Sequence, residues 1–360
     1  MFNFFKKAFP LSRGVLGVDI GTTSIKIVEM TAGKNKPQLI NYCVLEDLGH
    51  LERPNTAFQT STLKLFDQEI IYYLKLMMKK AGFRTNKVVA ALPTFAAFTT
   101  IIEMPLMSPE EVATTLTFKA KQYVPLPTTA ITLDWVKVKE GEDEKGNKKQ
   151  QIFLIAITND QIEKYKRIFK EADLNLVALE IEGFSLARAL TLTSDDPTLV
   201  IDLGARSTGF FAAQAGALQL SGQTDFASAS LTRAISSGLG INGRRAEDLK
   251  KQRGLIEIGL GPEQELSTLI RPILDVIISE AKRLKENYGN SYRQEIKKVV
   301  LAGGGAQLLG VADYFKKELD LPVAKADPFS ALLYPAKVDI LVKSLGVTLP
   351  VAVGAALKNI

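Results

Sequence analysis

A glycine turn near the start of the chain carries residues of the kind that bind phosphate. An apolar run ends in Asp19, the chain turns at Gly21, and three hydroxyl residues follow. Turns that expose backbone N–H groups and hydroxyls are typical of phosphate-binding loops. In the P-loop and dinucleotide folds a helix comes next, whereas residues 25–28 are β-branched and partly alternating, which predicts a strand. The pattern therefore predicts a phosphate-binding loop that returns as a β-hairpin.

The same arrangement recurs in the second half of the chain. Residues 198–218 again give an apolar strand, an Asp-x-Gly turn, hydroxyl residues and a second strand. Asp202 corresponds to Asp19, Gly204 to Gly21, and the Arg206-Ser207-Thr208 region to the first hydroxyl cluster. One hairpin repeated in both halves predicts two related domains that face each other.

Three consecutive glycines form a third element. Gly303, Gly304 and Gly305 lie between an apolar strand and an amphipathic helix. Without Cβ atoms, these residues allow a ligand to approach the backbone closely. The small-residue stretch at 349–357 then predicts a helix that packs tightly against its neighbours.

Composition excludes several classes of protein. The chain has 360 residues, of which 46% are apolar, and this length suffices for two domains. Cys43 and His50 are the single cysteine and histidine, which excludes an intrachain disulfide and a histidine-rich metal site. No apolar run has a membrane-spanning length and the N-terminus lacks a secretory signal, so we expect a cytoplasmic protein without direct membrane insertion.

The positive net charge does not predict a nucleic-acid partner. The formal charge is +6, but the basic residues are interspersed with acidic ones, as in residues 139–151. No basic stripe interleaved with aromatic residues is present, so no nucleic-acid binding is expected.

Taken in order, the two hairpins, the triple-glycine turn and the small-residue helix resemble the actin/Hsp70/sugar-kinase ATPase superfamily over nearly the whole chain. The resemblance implies an α/β, actin-like two-domain ATPase fold built from ribonuclease H-like repeats. It also implies ATP with Mg²⁺ between the domains, the ion being held through water by Asp19 and Asp202. The nucleotide-binding residues that it implies are Gly21, Thr22, Thr23, Ser24, Lys26, Gly204, Ser207, Thr208, Glu247, Lys250, Gly303, Gly304 and Gly305.

Three of the implied site residues have plain structural alternatives. Lys26 lies where actins carry a phosphate-contacting lysine, although an exposed strand lysine would fit the same pattern. Glu247 and Lys250 are three residues apart on one helix face, where relatives bind the ribose and adenine. A surface ion pair has the same spacing.

Glu182 is the implied catalytic residue. Members of the superfamily place here a Glu or Gln that orients the attacking water. Many relatives have Glu-Pro at this point, whereas this chain has Glu182-Gly183, so we expect ATP hydrolysis to be slow or absent. Glu180 is the neighbouring candidate, and an acidic residue favouring the helix dipole is the structural alternative.

Between the hairpins, residues 87–160 predict a small α+β insertion in the first domain. Its motifs "MP-MS-EE", "KQYVPLP" and "LDW", together with "LVALEIEGFSLARAL" and "AEDLK", resemble the PilM family of the FtsA/PilM branch. The resemblance implies an ATP-binding component of the type IV pilus assembly complex, recruited to the cytoplasmic face of the inner membrane. Its implied direct partner is the N-terminal cytoplasmic tail of PilN, bound beside the insertion in a nucleotide-responsive way. PilO, PilP and the pilus motor ATPases would be reached indirectly, and self-association is compatible with the resemblance.

The predicted domain division follows from these elements. Residues 1–86 and 161–195 form subdomain 1A, residues 87–160 the inserted subdomain 1C, residues 196–225 and 266–360 subdomain 2A, and residues 226–265 subdomain 2B.

Two alternatives remain within the superfamily: an FtsA-like membrane anchor or filament protein of cell division, and a small-molecule kinase. An FtsA-like anchor would need an amphipathic helix at the C-terminus, and we expect none after residues 353–360.

Overall fold

The computed structural model of the protein describes residues 14–46, 66–142, 145–256, 262–335, 344–358 and 360. The strands are β1 Val15–Ile20, β2 Ser24–Thr31, β3 Gln38–Glu46, β4 Lys87–Leu92, β5 Ala97–Pro105, β6 Ile131–Glu142, β7 Lys148–Thr158, β8 Asn175–Ile181, β9 Thr198–Leu203, β10 Thr208–Gln214, β11 Ala217–Thr224, β12 Lys298–Ala302 and β13 Val323–Lys325. The helices are α1 Asp67–Ala81, α2 Pro109–Tyr123, α3 Asn159–Glu171, α4 Glu182–Thr191, α5 Ser228–Leu239, α6 Gly243–Arg253, α7 Pro262–Tyr292, α8 Val311–Leu319 and α9 Pro350–Leu357. His50 and the predicted beginning of the first domain lie outside the described residues.

Two five-stranded sheets have the same construction. The first has the strand order β3-β2-β1-β4-β8, and the second has the order β11-β10-β9-β12-β13. In each, an antiparallel meander of three strands is extended by two parallel strands. This repetition is the predicted α/β architecture of two related domains. We call the first sheet with α1, α3 and α9 the first lobe, and the second sheet with α5–α8 the second lobe.

Helix α4 joins the two lobes. It packs against β8 and also against β9, β10 and β11. At Gly183 the approach to the second lobe is so close that a Cβ atom would lie 2.7 Å from the ring of Phe211. The apolar core is therefore continuous across the junction between the lobes.

The predicted insertion is a three-stranded antiparallel sheet with the order β5-β7-β6. Helix α2 covers one face through Val112, Leu116 and Ala120, which are spaced by four residues and buried. The helix begins at a capping box, since the Ser108 N–H donates to Glu111 Oε2 at 2.8 Å. The small sheet begins at β5, later than the predicted start at residue 87, because β4 pairs with β1 and β8 in the first sheet.

The assignment of all residues 266–360 to the second domain is wrong for α9. This helix packs against β1, β2, β4 and α4, which places it in the first lobe. Two glycines permit the contact: a Cβ atom on Gly17 would lie 1.8 Å from the Ala352 carbonyl oxygen, and one on Gly354 would lie 1.8 Å from that of Ser185. The other boundaries of the division stay a prediction.

Helix α7 is the longest helix among the described residues. Near its end, the rings of Tyr288 and Tyr292 stack with centroids 4.8 Å apart. Their hydroxyls donate to the side-chain and backbone oxygens of Gln219 in β11, at 2.8 and 3.1 Å. In the described part of the chain, no helix combines the length and the apolar character needed to cross a lipid bilayer.

A buried carboxylate ties β8 to α4 and α9. The two oxygens of Glu180 accept hydrogen bonds from Ser185 Oγ at 2.7 Å, from Arg188 at 2.8 and 3.1 Å, and from Lys358 Nζ at 2.8 Å. Arg188 also donates to the carbonyl oxygen of Gly354 in α9. Burial by itself would raise the pKa of Glu180, but Arg188 and Lys358 outweigh it and hold that pKa at about 2.

We expect Glu180→Gln to lower the free energy of unfolding by about 2–4 kcal/mol at pH 7, because it leaves two partly buried cations without their counter-charge. The folded-state pKa is below the ordinary value, so the carboxylate stabilises the fold fully above about pH 4.5 and loses this effect as the pH falls towards 2. Urea unfolding of both proteins at pH 7 and at lower pH should therefore give a difference that shrinks on acidification.

The control is Glu163→Gln, which removes an exposed carboxylate paired with Lys166 on α3. It should change stability by less than about 0.5 kcal/mol. Equal stability of Glu180→Gln and the wild type at pH 7 would contradict the assigned role of this network.

Candidate functional site

A cleft of about 440 Å³ lies between the lobes. This volume is within the range of small-molecule and cofactor sites. Its walls include the following sequence-predicted site residues: Asp19, Gly21, Thr22, Thr23, Ser24, Lys26, Glu182, Asp202, Gly204, Ser207, Glu247, Lys250, Gly303, Gly304 and Gly305. Segments that are distant in sequence and come from both lobes thus meet at one cavity.

The β1–β2 and β9–β10 turns have matching geometry at the cleft. The N–H of Gly21 donates to the Ser24 carbonyl oxygen at 2.9 Å, and that of Gly204 donates to the Ser207 carbonyl oxygen at 3.1 Å. The second turn requires a glycine, because a Cβ atom on Gly204 would lie 2.6 Å from that same oxygen. Both Asp-x-Gly motifs therefore form equivalent tight hairpins on opposite sides of the cavity.

The first hairpin places a lysine opposite its aspartate. Asp19 and Lys26 are partners in the β1–β2 register, and Lys26 Nζ donates to Asp19 Oδ2 at 2.8 Å. Ile25 and Ile27 are fully buried, so strand alternation directs Lys26 to the cleft. Burial lowers the pKa of Lys26, but the attraction of Asp19, Asp202 and Glu182 is larger in sum and raises it.

The second hairpin has no lysine at the equivalent position. Gly209 lies opposite Asp202 in the β9–β10 register. Burial, together with repulsion from Asp19, raises the pKa of Asp202 to about 6, and Lys26 opposes this shift. The negative charge of the second aspartate is thus only partly compensated by the protein.

Glu182, at the start of α4, faces the cleft and is held by the first lobe. The backbone N–H and the hydroxyl of Thr94 both donate to Glu182 Oε1, at 2.9 and 2.8 Å. Burial and the proximity of Asp202 raise the pKa of Glu182 to about 8, against the effect of the Thr94 hydrogen bonds. Glu180, the neighbouring candidate, lies instead in the buried network with Arg188 and Lys358.

The acidic residues of the cleft fit a divalent cation that also takes ligands from elsewhere. Carboxylate oxygens are the ligands that Mg²⁺ prefers, and this ion retains water readily. Within the described ranges no group of three His, Cys, Asp or Glu side chains could hold a metal by itself. Asp19 and Asp202 suit an ion that completes its coordination with phosphate oxygens and water.

Thr208 does not line the cleft, which corrects its prediction as a binding residue. Its side chain is fully buried, and its hydroxyl donates to the carbonyl oxygen of Phe226 at 2.7 Å. Ser207 is still in the turn and faces the cavity, whereas Thr208 is the first residue of β10 and points into the lobe.

The three consecutive glycines have different structural roles. Gly303 has φ +82°, and a Cβ atom there would lie 2.3 Å from Asp202 Oδ1. A Cβ atom on Gly305 would lie 2.8 Å from Leu203 Cβ, so both residues are required by packing on β9. Nothing lies within 4 Å of a Cβ atom built on Gly304, which lines open space in the cleft.

The Glu-x-x-Lys pair on α6 belongs to a buried polar network. Lys250 Nζ donates to Glu247 Oε2 at 2.6 Å, to Ser228 Oγ at 2.7 Å and to Thr232 Oγ1 at 2.9 Å. The Thr232 hydroxyl donates to the same Glu247 oxygen at 2.6 Å. These contacts with α5 fix both side chains at the wall of the cleft. The pair is therefore not a solvent-exposed surface ion pair.

Sequence reasoning missed several residues of the cleft. Ser228 and Thr232 hold the α6 pair, and Thr94 holds Glu182. Phe95 and Arg206 come from opposite lobes and approach each other, with the guanidinium carbon 5.5 Å from the ring centroid. A single hydroxyl, aromatic or basic residue does not belong to a spaced motif that would identify it as a site residue. Arg206, however, follows the second Asp-x-Gly turn closely.

The sequence matches the family model described as type IV pilus assembly protein PilM over residues 17–360. This chain belongs to the PilM family. It is accordingly an actin-like protein of type IV pilus assembly.

Solved structures of similar fold agree with this assignment. The PilM-PilN type IV pilus biogenesis complex matches with a TM-score of 0.80 and 22% identity, over 97% of this chain and 99% of that chain. MreB5 of Spiroplasma citri bound to ADP matches with a TM-score of 0.56 and 16% identity, over 97% and 96%. The ethanolamine utilization protein EutJ from Carboxydothermus hydrogenoformans matches with a TM-score of 0.54 and 18% identity, over 98% and 91%. The predicted actin-like fold is confirmed.

We expect Asp202→Asn to stabilise this PilM-family protein in the absence of added ligand. The substitution removes one of the mutually repelling carboxylates at nearly constant volume, and such gains are common where a site is built for function. The melting temperature should rise by roughly 1–3 °C. Thermal unfolding monitored by circular dichroism, in buffer without divalent cations or nucleotide, measures the shift.

Asp195→Asn, which changes an exposed aspartate outside the cleft, is the matched control and should leave the melting temperature unchanged. A lower melting temperature for Asp202→Asn would show that Asp202 stabilises the fold, contrary to this interpretation.

Proposed function

We propose that this PilM-family protein binds ATP with Mg²⁺ in the cleft between its lobes. The observation that carries the proposal is the convergence of two equivalent hairpin turns, from separate lobes, on one cavity. The similarity in fold to MreB5 bound to ADP supports the same location for a nucleotide. Aspartates that the protein compensates only in part are suited to a ligand that brings a divalent cation.

The walls of the cleft suggest how the nucleotide lies. The turns at Gly21 and Gly204 offer backbone N–H groups and hydroxyls to the phosphates, and Lys26 adds a positive charge. Glu247 and Lys250 are positioned for the ribose and the adenine edge. When bound, Mg²⁺ would neutralise phosphate charge, with Asp19 and Asp202 as its protein partners.

We propose that hydrolysis is slow or absent. Glu182 is the residue suited to orient an attacking water, and Thr94 fixes its Oε1 with two hydrogen bonds. Glu182 is followed by Gly183 and not by the proline of many relatives, so this turn departs from the pattern of active ATPases. The nucleotide would then act as a ligand that sets the conformation of the lobes.

The proposed protein partner is the N-terminal cytoplasmic tail of PilN. The similar PilM-PilN complex supports PilN as the partner, and the insertion offers a surface for a peptide. Four apolar side chains on or beside α2 are exposed: Leu106, Phe118, Tyr123 and Leu126, with Phe118 exposed to 69%. Exposed apolar side chains such as Phe118 are common at protein-binding surfaces. Through PilN the protein would be recruited to the cytoplasmic face of the inner membrane, and indirectly to PilO, PilP and the pilus motor ATPases.

Contacts between the insertion and the second lobe support a nucleotide-responsive partner surface. The Thr99 hydroxyl in β5 lies 3.0 Å from the Ser221 hydroxyl in β11. Lys139 in β6 donates to the Ser291 carbonyl oxygen at 2.8 Å and lies 5.2 Å from the ring centroid of Tyr292. A shift of the second lobe on nucleotide binding would therefore act directly on the small sheet.

The nucleotide proposal predicts that Gly304→Ala weakens ATP binding without changing the fold. A methyl group on Gly304 meets no protein atom within 4 Å, but it enters the cavity that the nucleotide would occupy. We expect roughly a tenfold loss of affinity for ATP with Mg²⁺, measured by isothermal titration calorimetry, and an unchanged melting temperature. Gly141→Ala makes the same change at an open position in β6 and should bind ATP like the wild type. Absence of ATP binding by the wild type would disprove the proposal.

The partner proposal predicts that a synthetic PilN tail peptide binds, with an affinity that differs at least fivefold between saturating ATP with Mg²⁺ and no nucleotide. We expect Phe118→Ser to weaken peptide binding about tenfold, since a buried phenylalanine contributes about 1.5–3 kcal/mol. Fluorescence anisotropy of a labelled peptide measures both effects.

The control is Tyr72→Ser on α1, which removes an aromatic side chain of similar exposure from the body of the first lobe. It should not alter peptide binding. Equal affinities with and without ATP would rule out nucleotide control, and equal effects of the two substitutions would place the peptide elsewhere than on α2.

A further inference from the structure

Arg206 is a basic residue in the second hairpin turn to which the proposed nucleotide site assigns no role. The residues before it in the turn contact the second lobe: the carbonyl oxygens of Gly204 and Ala205 accept hydrogen bonds from the N–H groups of Ser228 and Ala229, at 3.1 and 2.9 Å. The side chain of Arg206 reaches the other way, across the cleft. Its guanidinium carbon lies 5.5 Å from the centre of the Phe95 ring in the first lobe, a cation–π geometry.

The contact with Phe95 places Arg206 at a particular part of the cleft. Phe95 directly follows Thr94, whose N–H and hydroxyl both bind Glu182 Oε1. Arg206 therefore approaches the Thr94–Phe95 segment, which holds Glu182, the carboxylate that would face an attacking water beside the last phosphate of a triphosphate. Glu247 and Lys250, the proposed ribose partners, are held by α5 within the second lobe.

The charges of the two hairpins explain why a cation is needed there. In the first hairpin Lys26 lies opposite Asp19 and donates to it. In the second, Gly209 lies opposite Asp202, so the strand supplies no positive charge. A terminal phosphate that entered between Asp19, Asp202 and Glu182 would find Lys26 there already hydrogen-bonded to Asp19. Arg206 lines the cleft from the turn, and a guanidinium presents planar donors that match phosphate oxygens.

We propose that Arg206 contacts the terminal phosphate of ATP and makes the cleft select ATP over ADP. Without nucleotide, the Arg206 guanidinium contacts the ring of Phe95. When ATP binds, the terminal phosphate replaces the Phe95 ring as the partner of the guanidinium. The inference depends on the proposed ATP site, and it adds the residue by which that site distinguishes a triphosphate from a diphosphate. Because Arg206 belongs to the second lobe and Phe95 to the first, the exchange also takes place at the junction that lobe closure would alter.

The test compares the affinities for ATP and for ADP, each with Mg²⁺, by isothermal titration calorimetry. The wild type should prefer ATP. Arg206→Ala should lower the affinity for ATP about tenfold or more, as expected for loss of charge-assisted hydrogen bonds, and change that for ADP less than about twofold. Arg206→Lys, which keeps the charge without the planar donors, should recover part of the preference.

Lys251→Ala is the matched control for loss of positive charge. Lys251 also lines the cleft, but it lies 3.8 Å from Glu247 Oε1 on α6. Its removal should change the affinities for both nucleotides by the same factor. Phe95→Leu keeps the apolar volume and removes the π face, and it should keep the ratio of ATP to ADP affinity.

The outcomes separate this inference from the function on which it rests. A wild type that binds neither nucleotide overturns the proposed ATP site and the inference with it. A wild type that binds both, with an unchanged ratio in Arg206→Ala, overturns the inference alone. An equal loss for ATP and ADP also overturns it, as does a Phe95→Leu variant that loses the preference as fully as Arg206→Ala. Equal melting temperatures of the variants exclude misfolding as the cause.

Discussion

Three carboxylates from the two lobes, Asp19, Asp202 and Glu182, face the same buried lysine. The charge of Lys26 attracts all three, but its hydrogen bond goes to Asp19 alone. Burial and, to a smaller extent, repulsion between the carboxylates raise the pKa values of Asp202 and Glu182. Because of this imbalance, close packing of the two lobes against each other is unfavourable in this region, whereas a ligand that carries a cation is favoured. The other parts of the fold hold these charges in position.

Each carboxylate is held by a different element. Asp19 is the penultimate residue of the central strand of the first sheet, and Asp202 has the same place on the equivalent strand of the second. Glu182 begins α4, the helix that packs on both sheets. Relative movement of the lobes therefore changes the distances among the charges. The same movement reaches the insertion, because β5 and β6 contact β11 and α7 directly.

Most of the cleft could be predicted from the sequence because its residues lie in patterns that local geometry dictates. A strand, an Asp-x-Gly turn and a second strand can form few structures, and two copies indicate a repeated fold. Glu247 and Lys250 were predicted from the superfamily resemblance, because helix geometry, which brings residues three apart together, fits a surface ion pair equally well. Thr208 was predicted wrongly, since the strand begins one residue after Ser207 and its alternation directs that side chain inward.

Contacts between distant segments could not be predicted in this way. Glu180 and Glu182 are two residues apart, which on a continued strand would place both on one face. The helix begins at Glu182, so Glu182 faces the cleft. Glu180 is instead paired with Arg188 and Lys358, a contact that the sequence does not reveal. The small residues of α9 predicted close packing, but they did not indicate that its neighbour is β1. Phe95 and Arg206 likewise meet only once the lobes are assembled.

The packing of α9 on β1 has a consequence for biosynthesis. The strand that carries Asp19 is synthesised well before its cover, the helix at Pro350–Leu357, because about 330 residues separate them in the sequence. At ~5–20 residues per second, the interval is on the order of tens of seconds. During this interval the first hairpin has an uncovered apolar face, so its turn reaches the final form only after that helix has been made.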